Sequence, residues 1–309
     1  MRMLVSVVTS CFNEESNLQE FIDRTIVCLK NINCDFELII SDNASTDNSL
    51  AILRDNAEKE KRIKVIINNN NYGPHRSPVY GFYQASGDAV IMLASDLQDP
   101  PELIPHFVER WLNGEPVVLG TYKNRTDGFF KKCLRAIFYN LLIKLSDIKI
   151  LKNATGFGIY DRKVVDLIKN INDPRPFPRG LVCELGFDIG TISFEKPGRK
   201  GGVSKSNISE LYSTAVLGFT SHSVIPLRFI GIVGLLISLT SFMVAFVYLV
   251  MKLIFWETFE FGMAPLVIGG SFMFGILSLF LGIIGEYLAS IHTYVRRRPL
   301  VVEEDRINF

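Results

Sequence analysis

Residues 89–102 read Ala89-Val90-Ile91-Met92-Leu93-Ala94-Ser95-Asp96-Leu97-Gln98-Asp99-Pro100-Pro101-Glu102. The first five are apolar with no polar alternation, the pattern of a strand covered on both faces. An acidic turn follows. Pro101–Leu112 then reads as a helix, with proline in its first turn and Glu102 near its positive end. The same order of strand, polar turn and helix occurs upstream. Leu4–Thr9 runs into Ser10-Cys11-Phe12-Asn13-Glu14-Glu15, and Leu18–Leu29 follows with helical spacing and Ser16 as a candidate cap. Phe36–Ser41 runs into Asp42-Asn43-Ala44-Ser45-Thr46-Asp47 and a helix through Ile52. Ile63–Ile67 and Val117–Leu119 supply two more strands, and residues 68–71 a polar turn. Alternating βαβ units predict an α/β fold with a mostly parallel sheet. Such sheets bind ligands beyond the carboxyl ends of their strands. Acidic turns after the first, second and fourth strands would therefore converge on one cleft. No GxGxxG or GxxxxGK[ST] follows any strand, which argues against a dinucleotide site or a P-loop.

The α/β pattern fills residues 1–225, and the rest of the chain differs. Phe229–Met251 and Gly262–Gly285 are runs without a charge. About 20 apolar residues cross a bilayer core as helix, so the reading is a hairpin of two transmembrane helices over 226–290. Arg228 precedes the first run and Arg296, Arg297 and Arg298 follow the second. The positive-inside rule puts both chain ends, a basic tail over 291–309 and the α/β domain on the cytoplasmic side. Trp256 and Phe259 in the short loop suit the opposite interface. These runs account for a mean hydropathy of +0.23 at a net charge of only +1. The near-balanced charge excludes a bulk nucleic-acid binder. Leu4–Val8 is too short to be the core of a signal peptide. Five cysteines without a CxxC pair fit a reduced compartment, and four histidines without ligand spacing exclude a histidine metal site.

Two amphipathic segments flank the runs. Over about 128–145, Lys131, Lys132, Arg135 and Tyr139 share one arc of a helical wheel, and Phe130, Leu134, Ile137, Phe138 and Leu141 oppose them. Over about 206–222, Ile208, Leu211, Tyr212, Ala215 and Phe219 form a second stripe. A basic, aromatic-rich helix of this kind lies in the membrane interface, with an ordinary surface helix as the competing reading. There Lys131 and Arg135 would attract a lipid phosphate.

Taken in order, the motifs resemble the family-2 glycosyltransferases of GT-A fold. Within these they are similar to the polyprenyl-phosphate sugar transferases of dolichol-phosphate and bactoprenol type. Ser10–Glu15 is similar to P-x-Y-N-E-E, Asp42–Asp47 to D-D-G-S-T-D, and Ala94–Glu102 to D-A-D-L-Q-D-P-P-E. Arg199, Gly202, Ser204 and Lys205 match R-x-x-G-x-S-K, and Gly285-Glu286-Tyr287 with Arg297-Arg298-Pro299 match G-E-Y…R-R-P. The resemblance implies that Ser10, Phe12, Glu14, Asp42, Ser45 and Asp96 bind a nucleotide sugar. It implies that Asp96 and Gln98 hold Mg²⁺ or Mn²⁺ on the diphosphate, as hard oxygen donors would. It implies that Asp96, Arg199 and Lys205 serve catalysis, and that Arg199, Ser204 and Lys205, with Lys131 and Arg135, grip the lipid phosphate. The implied activity is inverting transfer of a hexose to undecaprenyl or dolichyl phosphate at the bilayer surface. Members of the family often assemble through their spans, so a homo-oligomer is expected from resemblance alone.

Two positions depart from the pattern. The first aspartate of the metal motif is Ala94, and the acidic residue of the family's G-D-F-R segment falls on Gly156. A phosphate monoester has its second pKa near 6, so it is largely dianionic at neutral pH and needs little help from a base. A hydroxyl acceptor would need one. Glu184 is a candidate replacement carboxylate, with a salt bridge or helix cap as the competing reading. A polysaccharide synthase is disfavoured, because its Q-x-x-R-W motif is absent where Arg179–Glu184 stand. A nucleotide-sugar-binding scaffold of weakened chemistry is the other alternative.

Overall fold

The structure is a computed structural model. It describes residues 3–123, 151, 154–174, 176–195, 225–254, 263–296 and 298–309. The chain divides into two compact units. One comprises Met1–Tyr139, Ile148–Lys205 and Arg297–Phe309, and the other Asn140–Asp147 and Ser206–Arg296.

In the first unit the strands are β1 (Leu4–Cys11), β2 (Asp35–Asp42), β3 (Ile63–Asn68), β4 (Ala89–Met92), β5 (Val117–Tyr122), β6 (Ala154–Asp161), β7 (Ile189–Phe194) and β8 (Glu303–Ile307). Among the described residues they form one sheet, in the order β7-β5-β6-β4-β1-β2-β3-β8. β1 pairs in parallel with β2 and β4, β2 with β3, and β5 with β7. β6 runs antiparallel to β4 and β5, and β8 antiparallel to β3.

Strand periodicity explains the two cores. Ala89 and Ile91 of β4 and Val5 and Val7 of β1 face α1 (Glu15–Lys30), α2 (Ser49–Lys59) and α4 (Ile104–Leu112), where Phe21, Leu53 and Phe107 are fully buried. Val90 and Val8 face the other way, toward Val79 and Phe82 of α3 (Gly73–Gln84), Val165 and Ile168 of α5 (Arg162–Ile171), and Val182 of α6 (Pro178–Glu184). Each such side chain contributes about 1.5–3 kcal/mol. The result is a sheet between two helical layers, as the unbroken apolar reading of Ala89–Leu93 requires. Pro101–Leu103 forms a short 3₁₀ turn ahead of α4, and Glu102 there receives two hydrogen bonds from Arg24 of α1, at 2.8 and 2.9 Å.

Of the expected basic tail over 291–309, residues 297–309 belong to the first unit. Arg297 and Arg298 stand at the start of this segment, and Glu303-Glu304-Asp305-Arg306-Ile307 forms the edge strand β8. Charge along an edge discourages pairing with another molecule.

The second unit contains α7 (Ile225–Ile254) and α8 (Met263–Val295). Among the described residues, one segment, Phe272–Val295, is long and apolar enough to cross a membrane. Its 24 residues measure about 36 Å as helix, against a hydrocarbon core of about 30 Å. It begins later than the expected 262–285. The expected first span, 229–251, lies within α7. Phe272, Phe274 and Leu281 of α8 are largely exposed. The amphipathic segments at 128–145 and 206–222 and the loop carrying Trp256 and Phe259 lie outside the described residues.

Candidate active site

Parallel pairing brings the carboxyl ends of β1, β2, β3 and β4 to one edge of the sheet, with β4 ending lower, Met92 opposite Val8. Cys11 stands opposite Asp42, and Asp42 opposite Ile67. Three loops leave this edge, and each contains a non-glycine residue in the left-handed region: Asn13 (φ 55°), Ala44 (φ 61°) and Leu97 (φ 59°). Such conformations are costly for side chains with a Cβ, and they concentrate at functional sites.

The first two loops are stitched together. Asn13 N–H donates to Ser45 Oγ (3.1 Å), Thr46 N–H to Asn13 Oδ1 (2.8 Å), Glu14 N–H to Ser49 Oγ (3.0 Å) and Glu15 N–H to Asp47 Oδ2 (3.1 Å). Partial burial works to raise the Asp47 carboxyl. Hydrogen bonds from the Ser49 side chain and from the Ser49 and Glu15 backbone outweigh it and hold Asp47 below its ordinary range. Ser10, Phe12, Glu14 and Ser45 are half-buried, and Glu14 Oε2 accepts from Asn17 Nδ2 at 2.8 Å.

Asp42, expected among the nucleotide-binding residues, is the most deeply buried of them. It is 1% exposed, and its oxygens accept from Ser45 N–H (3.2 Å) and Cys11 Sγ (3.7 Å). In this arrangement it shapes the turn that presents Ser45. Burial pushes the Cys11 thiol well above its ordinary value, and the carboxylates of Asp42, Asp47 and Glu14 add to that push. The thiol therefore keeps its proton for Asp42.

Sequence reading passed over the end of β3, where residues 68–71 read as a polar turn. Asn68 is buried and donates to Asn43 Oδ1 (3.1 Å) and Ser77 Oγ (3.0 Å). Asn43 donates to Asn71 Oδ1 (2.8 Å) and accepts from Tyr72 N–H (2.9 Å). The signal was available: four asparagines directly after an apolar strand at the ligand-binding edge.

The third loop carries the expected metal ligands. Gln98 N–H donates to Asp96 Oδ1 (3.1 Å), and Ala94 N–H donates to Asp99 Oδ2 (3.2 Å). Ser95 Oγ donates to Ser10 O at 2.9 Å, joining this loop to the first. Asp96 and Gln98 are half-buried, Ala94 is exposed, and Asp99 is buried. Asp99, which sequence reading gave no role, closes the turn that holds Asp96. Among the described residues no cluster of three or more His, Cys, Asp or Glu side chains is arranged to hold a metal ion. One carboxylate and one amide oxygen make an incomplete cage. They do fit an ion of the Mg²⁺ type, which takes one or two carboxylates and completes its shell with substrate phosphates and water.

Gly156 lies on β6, exposed, and a Cβ there would meet nothing within 4 Å. Glu184 is the exposed last residue of α6 and is not part of the hydrogen-bonded set above. Arg199, Ser204, Lys205, Lys131 and Arg135 lie outside the described residues.

Known proteins place the chain in a family. The model of glycosyl transferase family 2 matches residues 6–168, from β1 into α5 and through all three loops. The uncharacterized glycosyltransferase YkcC of Bacillus subtilis (strain 168) is 33% identical over 96% of this chain and 92% of its own. The bactoprenol glucosyl transferase of Shigella phage SfII is 31% identical over 96% of each chain. The undecaprenyl-phosphate 4-deoxy-4-formamido-L-arabinose transferase of Proteus mirabilis (strain HI4320) is 31% identical over 96% of this chain and 91% of its own. Acidic loops at one edge of a mostly parallel sheet, inside a full-length likeness to sugar transferases, assign the chain to glycosyltransferase family 2, and it is a glycosyltransferase.

Proposed function

We propose that the enzyme moves a hexose from a UDP- or GDP-sugar to a polyprenyl phosphate, undecaprenyl or dolichyl, with inversion, at the cytoplasmic face of a membrane. The observation that carries this reading is the end-to-end likeness to two transferases whose names specify bactoprenol or undecaprenyl phosphate. Near-equal coverage of both chains means that the likeness includes the apolar C-terminal third as well as the sugar-transfer domain. α7 and α8 would form a two-span hairpin, with Arg228 and Arg296–Arg298 on the side of the α/β domain.

Ser10, Phe12, Glu14 and Ser45 would receive the nucleoside, with Asp42 fixing the turn beneath them. Asp96 and Gln98 would hold Mg²⁺ or Mn²⁺, which when bound offsets the charge that develops on the leaving diphosphate. Arg199, Ser204 and Lys205 would bind the acceptor phosphate, with Lys131 and Arg135 drawing it from the interface. Ala94 and Gly156 place no carboxylate beside that dianion. The acceptor then attacks the anomeric carbon with its own charged oxygen, and no side chain has to remove a proton. Glu184 is retained as an outlying candidate carboxylate.

The test gives purified protein in detergent a panel of radiolabelled UDP- and GDP-sugars, undecaprenyl or dolichyl phosphate, and Mg²⁺ or Mn²⁺. Metal-dependent passage of label into the organic phase is expected. Nucleotide binding with no transfer from any donor would refute the reading.

A further inference from the structure

The loop 69–73 leaves β3 at the same sheet edge as the acidic loops. Asn69, Asn70 and Asn71 are exposed, so apolar burial contributes little to its shape. Two sets of hydrogen bonds fix it. From within, Asn43, itself fixed by Asn68, holds Asn71 and Tyr72, as described. From outside, the last residues of the chain hold its base. β8 pairs with β3 as far as Glu303 opposite Asn68, after a register irregularity at Ile67/Asn68. Val302 O accepts from Asn69 N–H at 3.1 Å, and Pro299 O accepts from the Arg76 guanidinium on α3. Val301, between those carbonyls, is 5% exposed. The far end of the same strap is fastened independently, by Asn308 Nδ2 to Ala57 O (2.6 Å) and Ile63 O (2.9 Å).

We propose that the segment Pro299–Glu303 is a positioning element for the donor nucleotide. It sets the loop 69–73 against Asn43, next to Asp42, and so shapes the pocket that receives the nucleoside. The proposal rests on the donor-binding reading above. A strand that merely covered an edge would stabilise the domain equally from either end. A positioning strap acts on nucleotide affinity only where it touches the loop. Its residues do not touch the reacting atoms, so its effect falls on donor affinity and leaves turnover in place.

The test uses the full chain in detergent, with UDP and GDP, each with Mg²⁺, titrated by calorimetry, and with transfer rates measured against donor concentration. Val301→Ala, on the strap, and Arg76→Gln, on its partner, are each expected to weaken nucleotide binding and raise donor KM about fivefold or more, with kcat little changed. Asn308→Ala, at the far end, is expected to lower Tm and leave donor KM at the wild-type value. Wild-type nucleotide affinity in both Val301→Ala and Arg76→Gln would overturn the proposal while leaving the donor reading intact. An equal rise in KM for Asn308→Ala would also overturn it, by showing general loosening. Failure of the wild-type protein to bind either nucleotide would overturn the donor reading and the strap with it.

Discussion

Ala94, past the end of β4, and Gly156, on β6, each stand two residues beyond Met92↔Gly158, the last register pair joining the two strands, at the same end of the ladder. The two positions where the resembled family carries acids thus lie at the same end of one strand pair, and both are without charge here. Gly156 is not required by its backbone, because an added Cβ meets nothing within 4 Å. Gly156→Asp should therefore fold with wild-type Tm. If the acceptor brings its own dianion, a new carboxylate repels it, with an interaction on the order of 4 kcal/mol at about 4 Å and an effective dielectric of 20. The expected outcome is at least a tenfold rise in acceptor KM. Faster turnover in this variant would show that the enzyme lacks a base and would defeat the dianion account.

Asp96 is the acid that the third loop presents at half-exposure, and Gln98 is its neighbour in the same turn. Asp96→Ala should cost roughly 10²–10³ in kcat, the scale for losing one well-placed electrostatic partner. With so few protein donors, Mn²⁺ should bind the free enzyme weakly and tighten when UDP or GDP is added. Electron paramagnetic resonance titration reads both values, and tight binding without nucleotide would contradict the shared-shell description.

Glu37 supplies a pH prediction. It is nearly buried on β2 and pairs with Lys64 at 2.7 Å, while Ser6 and Ser86 also donate to it. Burial works to raise its carboxyl, but the hydrogen bonds from Lys64, Ser6 and Ser86 outweigh burial and leave it lowered. A lowered folded-state pKa gives stability that is present above the unfolded value and lost as pH falls through the folded one. Urea unfolding should show a contribution from Glu37 at pH 7 that fades below about pH 4.3, where an unfolded glutamate protonates. Glu37→Ala should cost about 3 kcal/mol at pH 7, since it leaves Lys64 without its partner. A cost independent of pH would mean that packing, not charge, is responsible.

Gly87 is the opposite case to Gly156. A Cβ there would lie 2.6 Å from Ser6 Oγ and 2.7 Å from Leu4 O and Ser6 N. The turn is also drawn onto the sheet by Arg162, which donates to Gly87 O at 2.8 Å. Gly87→Ala should destabilise by about 1–3 kcal/mol through overpacking. Gly156→Ala should stay within about 0.5 kcal/mol of wild type. Thermal unfolding of the two variants side by side checks both.

The strands were legible because β1 to β4 are covered on both faces, which leaves a continuous apolar run that no turn or exposed helix imitates. The helix Gly73–Gln84 was not legible. It contains Gly73, Pro74, Pro78 and Gly81, all poor helix residues, and tertiary packing overrides propensity. Gly81 shows how: a Cβ would come within 2.9 Å of Val8 Cγ1 and 3.0 Å of Ser41 Oγ, so glycine is what lets this helix approach the sheet. β8 was missed for another reason. Glu303-Glu304-Asp305-Arg306 shows no apolar alternation, and its membership comes from a distant strand. At the site, the acidic loops could be located by their place after strands. Which carboxylate faces outward could not: Asp42 and Asp96 look alike in sequence, yet one is buried under a turn and the other is half-open.

Edge strand β8 is made from residues that follow both long helices in the chain, and its partner β3 from residues that precede them. A growing chain therefore holds that side of β3 without its β8 partner until residues 303–307 have been made. Domains otherwise tend to fold in order of synthesis. For this enzyme the sheet gains its last strand only after both long helices have been made, so a chain truncated after α8 will leave the edge of β3 uncovered.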